Sequence, residues 1–159
     1  MGVEIERKFL VEGEYRSLST SHSFIAQGYI CSARGRTVRV RIRGERGYLT
    51  IKGPAGADGL RRYEWEKEIP LAEARELLAL CETPPLEKTR WLVPCGRHTF
   101  EVDEFHGENA GLVVAEVELA HEDEPYECPP FLGREVTGDV RYYNSFLTHT
   151  PYSAWADKG

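Results

Sequence analysis

Polar and apolar residues alternate with a period of two along most of this chain, which is the pattern of β-strands that bury one face. The stretch Thr37–Arg43 shows the pattern most clearly, because its arginines alternate with valine and isoleucine. Comparable runs recur along the chain with turn residues between them. We therefore predict about eight strands, at residues 3–9, 27–31, 37–43, 48–52, 63–69, 88–93, 100–105 and 112–119.

Helical spacing of apolar residues is rare by comparison. Residues 71–82 have it, and the two prolines that follow end the predicted helix. A second helix is predicted to begin after Asp139, a suitable N-cap, and to run towards Pro151. A short helical piece is expected between residues 121 and 132, and the glycine-rich stretch 53–59 is interpreted as a hairpin connector.

The length of 159 residues suits one domain, so we treat residues 1–159 as a single unit. Strands spaced this regularly along one domain favour a mainly β fold, either a barrel or a large antiparallel sheet. In both architectures each strand presents one charged face and one apolar face. The alternation alone does not say which face points inward.

Charge and cysteine content exclude several classes of protein. With 20 basic and 26 acidic residues the net charge is −6, which argues against general nucleic-acid binding. No apolar run is long enough for a membrane span, and the charged N-terminus is not a secretory signal. The four cysteines form no Cys-x-x-Cys pair, so we expect reduced thiols in a cytoplasmic protein without a membrane partner.

The charges on the predicted strands are sorted by sign. Residues 39, 41 and 43 form an all-basic face, whereas residues 64, 66 and 68 form an all-acidic one. Charged faces are usually solvated, but a solvated surface normally mixes the two signs. Carboxylate pairs two residues apart, at Glu4 and Glu6 and at Glu116 and Glu118, also suit Mg²⁺ or Mn²⁺. One cavity could therefore hold a polyanion on its cations and a divalent metal on its carboxylates.

Glu4, Glu6 and Lys8 together resemble the ExExK motif of the CYTH, or triphosphate tunnel metalloenzyme, superfamily. The resemblance covers nearly the whole chain in the family's order, through Arg39 and Arg41, Lys52, Glu64 and Glu66, Lys88 and Arg90, Asp103, Glu116 and Glu118, and the tail Arg141-Tyr-Tyr-Asn144. The tail differs from the Arg-Tyr-Ser-Asn expected of close relatives at Tyr143, for which we predict no chemical consequence. The resemblance implies an eight-stranded antiparallel closed barrel with a few flanking helices and with its charged faces turned into a tunnel.

Roles for individual residues follow from the same resemblance. Metal ligands for Mg²⁺ or Mn²⁺ are expected at Glu4, Glu6, Glu116 and Glu118. Cations for the substrate are expected at Lys8, Arg39, Arg41, Lys52, Lys88 and Arg90, with Arg43 continuing the same face. Glu64, Glu66 and Asp103 could bind a second metal, orient arginines or pair with cations in the wall. Glu118 is a candidate to activate water, and Tyr29 could share a proton with Lys8.

Members of this superfamily act on triphosphate groups, and the shortest bacterial members are inorganic triphosphatases. The expected reaction is therefore the metal-dependent hydrolysis of tripolyphosphate to pyrophosphate and phosphate. A class IV adenylate cyclase, another nucleoside or thiamine triphosphatase, and a non-catalytic polyphosphate-binding module stay open as alternatives. A homodimer is also open, because Trp65, Trp91 and Trp155 could lie in an interface or pack under the helices.

Overall fold

The computed structural model describes residues 2–33, 35–57 and 61–155, and only the backbone of residues 2–4 and 55. Nine strands dominate it: β1 Gly2–Val11, β2 Ser21–Cys31, β3 Thr37–Arg43, β4 Arg46–Ala55, β5 Arg61–Ile69, β6 Leu86–Cys95, β7 His98–Phe105, β8 Val113–Glu118 and β9 Leu132–Glu135. Two α-helices accompany them, α1 Leu71–Leu78 and α2 Asn144–His149.

The strands close into an antiparallel barrel. Their order is β5-β4-β3-β2-β6-β7-β8-β1, and β1 also pairs with β5 to complete the ring. The ninth strand, β9, adds to the far end of β1, where Leu132 faces Val11. The predicted eight-stranded barrel is thus confirmed. A strand of only four residues shows too little alternation to be found from sequence.

Two-residue hairpins join neighbouring strands where the backbone must reverse tightly. Gly44 connects β3 to β4 with a φ of 60°, and Gly96 connects β6 to β7 with a φ of 61°. Glycine adopts these positive φ values without the steric penalty that a Cβ would bring. The predicted 53–59 connector begins too early, because β4 runs to Ala55; residues 56 and 57 follow that strand, and residues 58–60 are outside the described residues.

Strand β2 is longer than the predicted 27–31, because it begins at Ser21 and pairs with β6 over residues 21–27. Its first residues are polar and exposed, so no apolar alternation marks them. The ladder of backbone hydrogen bonds to β6, rather than burial, makes this segment a strand.

The helices differ from prediction in three places. Helix α1 ends at Leu78 rather than residue 82, because the amides of Leu80 and Cys81 bond three residues back and tighten the last turn. Asp139 caps a 3₁₀ turn, Val140–Tyr142, and α2 starts separately after it. The predicted helical piece at 121–132 is wrong. This segment is turn and extended chain, and its prolines at 125, 129 and 130 disfavour helix.

Apolar side chains form two clusters, one outside the barrel wall and one inside it. The outer cluster packs outward-facing residues such as Phe100 and Val117 against Tyr15 and Phe131. The inner cluster fills one end of the barrel and consists mainly of Leu86, Phe105, Val114, Tyr142, Leu147 and Trp155. The inward faces of several strands therefore change from charged to apolar at this end, and the remaining interior is polar.

The three tryptophans have different environments. Trp155 is buried in the inner cluster, and Trp91 packs against the outer one. Trp65 lies on the outer face of β5 and is 39% exposed. A dimer interface stays a prediction, to which Trp65 is the best placed of the three to contribute. No helix in the described part of the chain is both long and apolar enough to cross a bilayer. All four cysteines are free thiols.

Candidate active site

A cavity of about 200 Å³ occupies the polar part of the barrel interior. Its lining is charged or polar apart from two tyrosines, and comprises Glu6, Lys8, Tyr29, Thr37, Arg39, Arg41, Arg43, Thr50, Lys52, Arg62, Glu64, Glu66, Arg90, Glu101, Glu116, Glu118, Tyr143, Asn144 and Ser145. The charged strand faces point inward, as the family resemblance implied. Most of the predicted site residues lie in this one cavity; of those whose side chains are described, Lys88 and Asp103 are the exceptions, and the side chain of Glu4 lies outside the described set.

One side of the cavity, which we call the cationic wall, consists of Gln27 on β2 and Arg39 and Arg41 on β3. Arg41 Nε donates to Oε1 of Gln27 at 2.9 Å, and no carboxylate of the described residues pairs with this guanidinium. Burial, together with repulsion from Arg39 and Arg90, lowers the pKa of Arg41 to about 9. Arg39 Nη2 contacts Thr50 at 3.3 Å and Glu66 only at 3.7 Å. Its buried Nε has no partner among the described residues.

The neighbouring side, which begins at the strand next to β2, we call the neutralised wall; it consists of Lys88 and Arg90 on β6 with Asp103 on β7. Asp103 accepts from Lys88 Nζ at 2.7 Å and from Arg90 Nε and Nη2 at 2.7 and 2.9 Å. Although burial acts to raise it, the two cations hold the pKa of Asp103 well below its usual range. Arg90 also lies 3.3 Å from Glu101. The charge of Arg90 is therefore largely matched by protein carboxylates.

Lys88 lies behind the cavity rather than in its lining. It is fully buried, and its Nζ also donates to Oδ1 of Asn144 at 2.9 Å, which ties the start of α2 to the barrel. Burial, with repulsion from Arg90 and Arg41, lowers the pKa of Lys88 to about 7. Direct contact between Lys88 and substrate stays a prediction, and so does a metal at Asp103. In the structure both side chains are engaged with each other.

A row of carboxylates faces the cavity from β1, β7 and β8. The backbone register sets Glu6 opposite Glu118 and Glu101 opposite Glu116. Like charges directly opposite each other destabilise a sheet, so this row favours a bound cation. Although burial acts to raise it, Lys8 and a hydrogen bond to Glu6 lower the pKa of Glu116 to about 2. Glu116 is accordingly ionised at neutral pH.

The donor set fits Mg²⁺ or Mn²⁺ in its chemistry, because these cations prefer carboxylate oxygens. Glu6, Glu116 and Glu118 supply such oxygens to the cavity. No group of three potential ligands close enough to hold a metal is found among the described side chains. Glu4, the remaining expected ligand, has its backbone in β1, but its side chain lies outside that set.

Lys8 lies among the first turn of α2, the 3₁₀ turn before it and the carboxylate row. Its Nζ donates to the carbonyl of Tyr142 at 3.1 Å and lies 3.9 Å from Glu116. The same Nζ lies 5.0 Å from the centre of the Tyr143 ring, and the guanidinium of Arg62 lies 5.5 Å from the centre of this ring. Tyr29 also lines the cavity, but no hydrogen bond joins it to Lys8 in the described part of the chain.

Three of the less certain predictions, Glu64, Glu66 and Arg43, lie in the lining. Glu66 accepts from Thr50 Oγ1 at 2.7 Å, and Lys52 lies 3.7 Å from Glu64. Arg43 is exposed and contacts Tyr48 through its Nη2 at 3.2 Å. Glu64, Glu66 and Arg43 all line the cavity, where a ligand can reach them.

The sequence interpretation missed several residues at the site. Gln27, Arg62, Glu101, Tyr143 and Asn144 contact site residues or line the cavity. Glu101 and Arg62 had a detectable signal, because each lies two residues from a predicted site residue on the same strand face. Gln27 had none, since its role depends on the pairing of β2 with β3.

Comparison with known proteins agrees with this architecture. The CYTH domain model matches residues 2–143. The inorganic triphosphatase of Acetivibrio thermocellus is 49% identical over 154 residues, which are 96% of this chain and 97% of that protein. The inorganic triphosphatase of Nitrosomonas europaea is 35% identical and covers 91% of this chain and 95% of its own. The crystal structure of the inorganic triphosphatase NE1496 has a TM-score of 0.66 at 32% identity, covering 93% and 95% of the two chains.

Proposed function

This chain belongs to the CYTH domain family, and from that premise we propose that it is an inorganic triphosphatase, which hydrolyses tripolyphosphate to pyrophosphate and phosphate. The observation that carries the proposal is the cationic wall, where no carboxylate of the described residues hydrogen-bonds to the buried Arg39 and Arg41, and Glu66 approaches Arg39 only to 3.7 Å. Buried like charges are unfavourable unless a ligand of opposite sign compensates them. The names of the two relatives agree with this ligand being a triphosphate.

The size of the cavity favours an inorganic substrate. Its volume of about 200 Å³ is below the roughly 300–1,000 Å³ usual for pockets that hold organic ligands. A nucleoside or thiamine group would need further space beyond that of the triphosphate. Among the described lining residues, only Tyr29 and Tyr143 offer an aromatic surface to such a group.

The cations of the cavity bind and orient the phosphate chain. Guanidinium groups suit this task because they donate two parallel hydrogen bonds to phosphate oxygens. Arg39 and Arg41 approach from β3 and Arg90 from β6, with Lys8 and Lys52 adding point charges. Phosphoryl transfer requires mainly such positioning and charge stabilisation, and little covalent chemistry from the protein.

Glu6, Glu116 and Glu118, with Glu4, are the residues that would hold Mg²⁺ or Mn²⁺. When bound, this ion supplies charge neutralisation at the phosphate oxygens. The low pKa of Glu116 suits it to a ligand role, because a weakly basic carboxylate is a poor acceptor for the proton of water. Glu118 is the better candidate to orient or deprotonate the attacking water, since it lines the cavity and is exposed.

The test is an assay of the purified protein with tripolyphosphate, in which phosphate release is measured with Mg²⁺ or Mn²⁺ and again with excess chelator. We expect turnover with metal and none with chelator. Glu118→Gln should lower kcat at least about 100-fold, the usual effect of losing a general base. The matched control is Glu108→Gln, which neutralises an exposed carboxylate outside the cavity and should leave kcat unchanged. Normal turnover by Glu118→Gln would contradict the assigned role.

A substrate panel separates the alternatives. ATP, thiamine triphosphate and long-chain polyphosphate are compared with tripolyphosphate under the same conditions. Cyclic AMP formed from ATP would identify a cyclase. Tight binding of polyphosphate without turnover in any metal would identify a binding module. We expect tripolyphosphate to have the highest kcat/KM of the panel.

A further inference from the structure

Gln27 is a fully buried polar residue in the middle of β2, and its side chain is 0% exposed. The register pairs it directly with Arg41 on β3, so both side chains point to the same face of the sheet. Because a guanidinium only donates hydrogen bonds, the group that Gln27 turns to Arg41 is its carbonyl oxygen. The bond of 2.9 Å fixes Arg41 Nε.

Arg41 and Arg90, which lie in the two neighbouring walls of the cavity, are held by different chemistry. Arg90 bonds through Nε and Nη2 to the carboxylate of Asp103, which cancels its charge. Arg41 is held by a neutral amide, which fixes its orientation but removes none of its charge. Since Arg41 is 8% exposed and lies near Arg39 and Arg90, its charge is poorly compensated in the absence of a ligand.

The side-chain amide of Gln27 is only partly hydrogen-bonded in this arrangement. Its Nε2 is buried and has no hydrogen-bond partner in the described ranges. A buried donor without a partner is unfavourable for folding, so stability alone would be served better by an apolar residue or by a carboxylate that pairs with Arg41. The placement makes sense if the site needs an oriented arginine with its full charge.

We propose that Gln27 is a positioning residue for triphosphate binding, whose neutral carbonyl holds the Arg41 guanidinium in the cavity and leaves its positive charge for the substrate. The inference rests on the proposed function. It predicts that a carboxylate at position 27 is more harmful to substrate binding than an apolar side chain, because it both binds Arg41 and neutralises it.

The experiment compares Gln27→Glu and Gln27→Leu with the wild type in tripolyphosphate kinetics and in thermal unfolding without ligand. For Gln27→Glu we expect KM to rise on the order of 10- to 100-fold, as for loss of a charge-assisted hydrogen bond. Its kcat should change less, and its Tm should stay equal or rise, because the new ion pair relieves the cationic wall. Gln27→Leu should raise KM less than Gln27→Glu does. The control Ser17→Glu adds the same charge on an exposed outer turn and should leave KM unchanged.

A double-mutant cycle tests whether Gln27 acts through Arg41. In the Arg41→Met background, Gln27→Leu should cause no further rise in KM. An unchanged KM in both single variants, or full additivity in the cycle, would overturn the inference while the proposed function stands. A wild type that neither binds nor hydrolyses tripolyphosphate would instead overturn the proposed function. Should Gln27→Glu fail to fold, Gln27→Leu and the cycle still decide the question.

Discussion

The cationic wall and the neutralised wall belong to the same barrel and carry the same kind of residue, yet their arginines are held in opposite ways. Arg90 shares a buried carboxylate with Lys88, at distances of 2.7–2.9 Å. Arg41 has a neutral amide as its partner, and Arg39 lies 3.7 Å from the carboxylate of Glu66. The first arrangement serves folding, because each buried charge has an opposite charge. The second leaves charge available and needs a ligand to complete it.

The comparison predicts that loss of the central anion of the neutralised wall has the largest effect on stability. Asp103→Asn would leave Lys88 and Arg90 buried without their counter-ion. We expect the free energy of unfolding to fall by about 3–5 kcal/mol, as when one partner of a buried ion pair is removed. Urea denaturation measures this change. Asp123→Asn, in an exposed turn, is the control and should change stability by less than about 0.5 kcal/mol.

If Asp103→Asn were as stable as the wild type, the two walls would not differ in the way described. Retained stability would mean that Lys88 and Arg90 find other compensation. A large loss in Asp103→Asn alone would not distinguish the walls either. The cationic wall needs its own variant.

Arg39→Met and Arg90→Met form that second, matched pair. Arg90→Met removes two hydrogen bonds and one of the two cations from the buried Asp103, together with the contact to Glu101, and should destabilise the protein strongly. Arg39→Met removes a repelling charge and should leave the free energy of unfolding equal or higher. Arg39→Met should nevertheless weaken tripolyphosphate binding about 10-fold or more. Urea denaturation measures the free energy of unfolding of each variant.

The stabilisation of each variant by added ligand measures its binding of tripolyphosphate. With chelator present to stop turnover, tripolyphosphate at about 100 times its Kd should stabilise the wild type by about 2.7 kcal/mol and raise its Tm. At the same ligand concentration the shift should be smaller in Arg39→Met and unchanged in Arg97→Met, an exposed hairpin control. Strong destabilisation by Arg39→Met in the absence of ligand would contradict the distinction between the walls.

The smallest expected effect concerns Tyr143, a second neutral support for cations of the cavity. From sequence we expected no chemical consequence at this position, but the contacts of the ring in the structure change that expectation. The ring lies against Lys8 and Arg62. Tyr143→Ser removes the ring but keeps a good N-cap for α2, so folding should be preserved. Because a cation–π contact contributes about 0.5–2 kcal/mol, KM for tripolyphosphate should rise several-fold. Tyr143→Phe, which keeps the ring, should behave as the wild type. Equal KM values for Ser and Phe variants would show that the ring does not support these cations.

Much of the fold could be predicted from local pattern. The strand Thr37–Arg43 is confirmed at both ends, because arginines alternate there with β-branched residues. The prediction of a helical piece at 121–132 was wrong, because it did not take into account the prolines of this segment. The break at Tyr143 could not be predicted, since the Lys88–Asn144 bond that fixes the start of α2 joins residues 56 positions apart.

The same distinction holds for the candidate site. Cations and carboxylates could be assigned to inward faces through the family resemblance, and the cavity brings Arg39, Arg41 and Glu116 together. The sequence did not reveal that Arg41 bonds to a neutral amide and Arg90 to a carboxylate, because each is simply an arginine on an alternating strand. Gln27 could not be recognised as a site residue, since it resembles any polar residue in a weak strand.

The sequence by itself determined where most of the strands lie and which residues of each share a face, because a period of two is a local property of the backbone. Only the tertiary structure decided which charges cancel. Coulomb energy and hydrogen bonding depend on distances between atoms, and those distances follow from strand register across the barrel. The register places Arg90 beside Asp103 and Arg41 beside Gln27. Arg90 is thereby paired with a protein carboxylate, whereas Arg41 keeps its positive charge for a ligand.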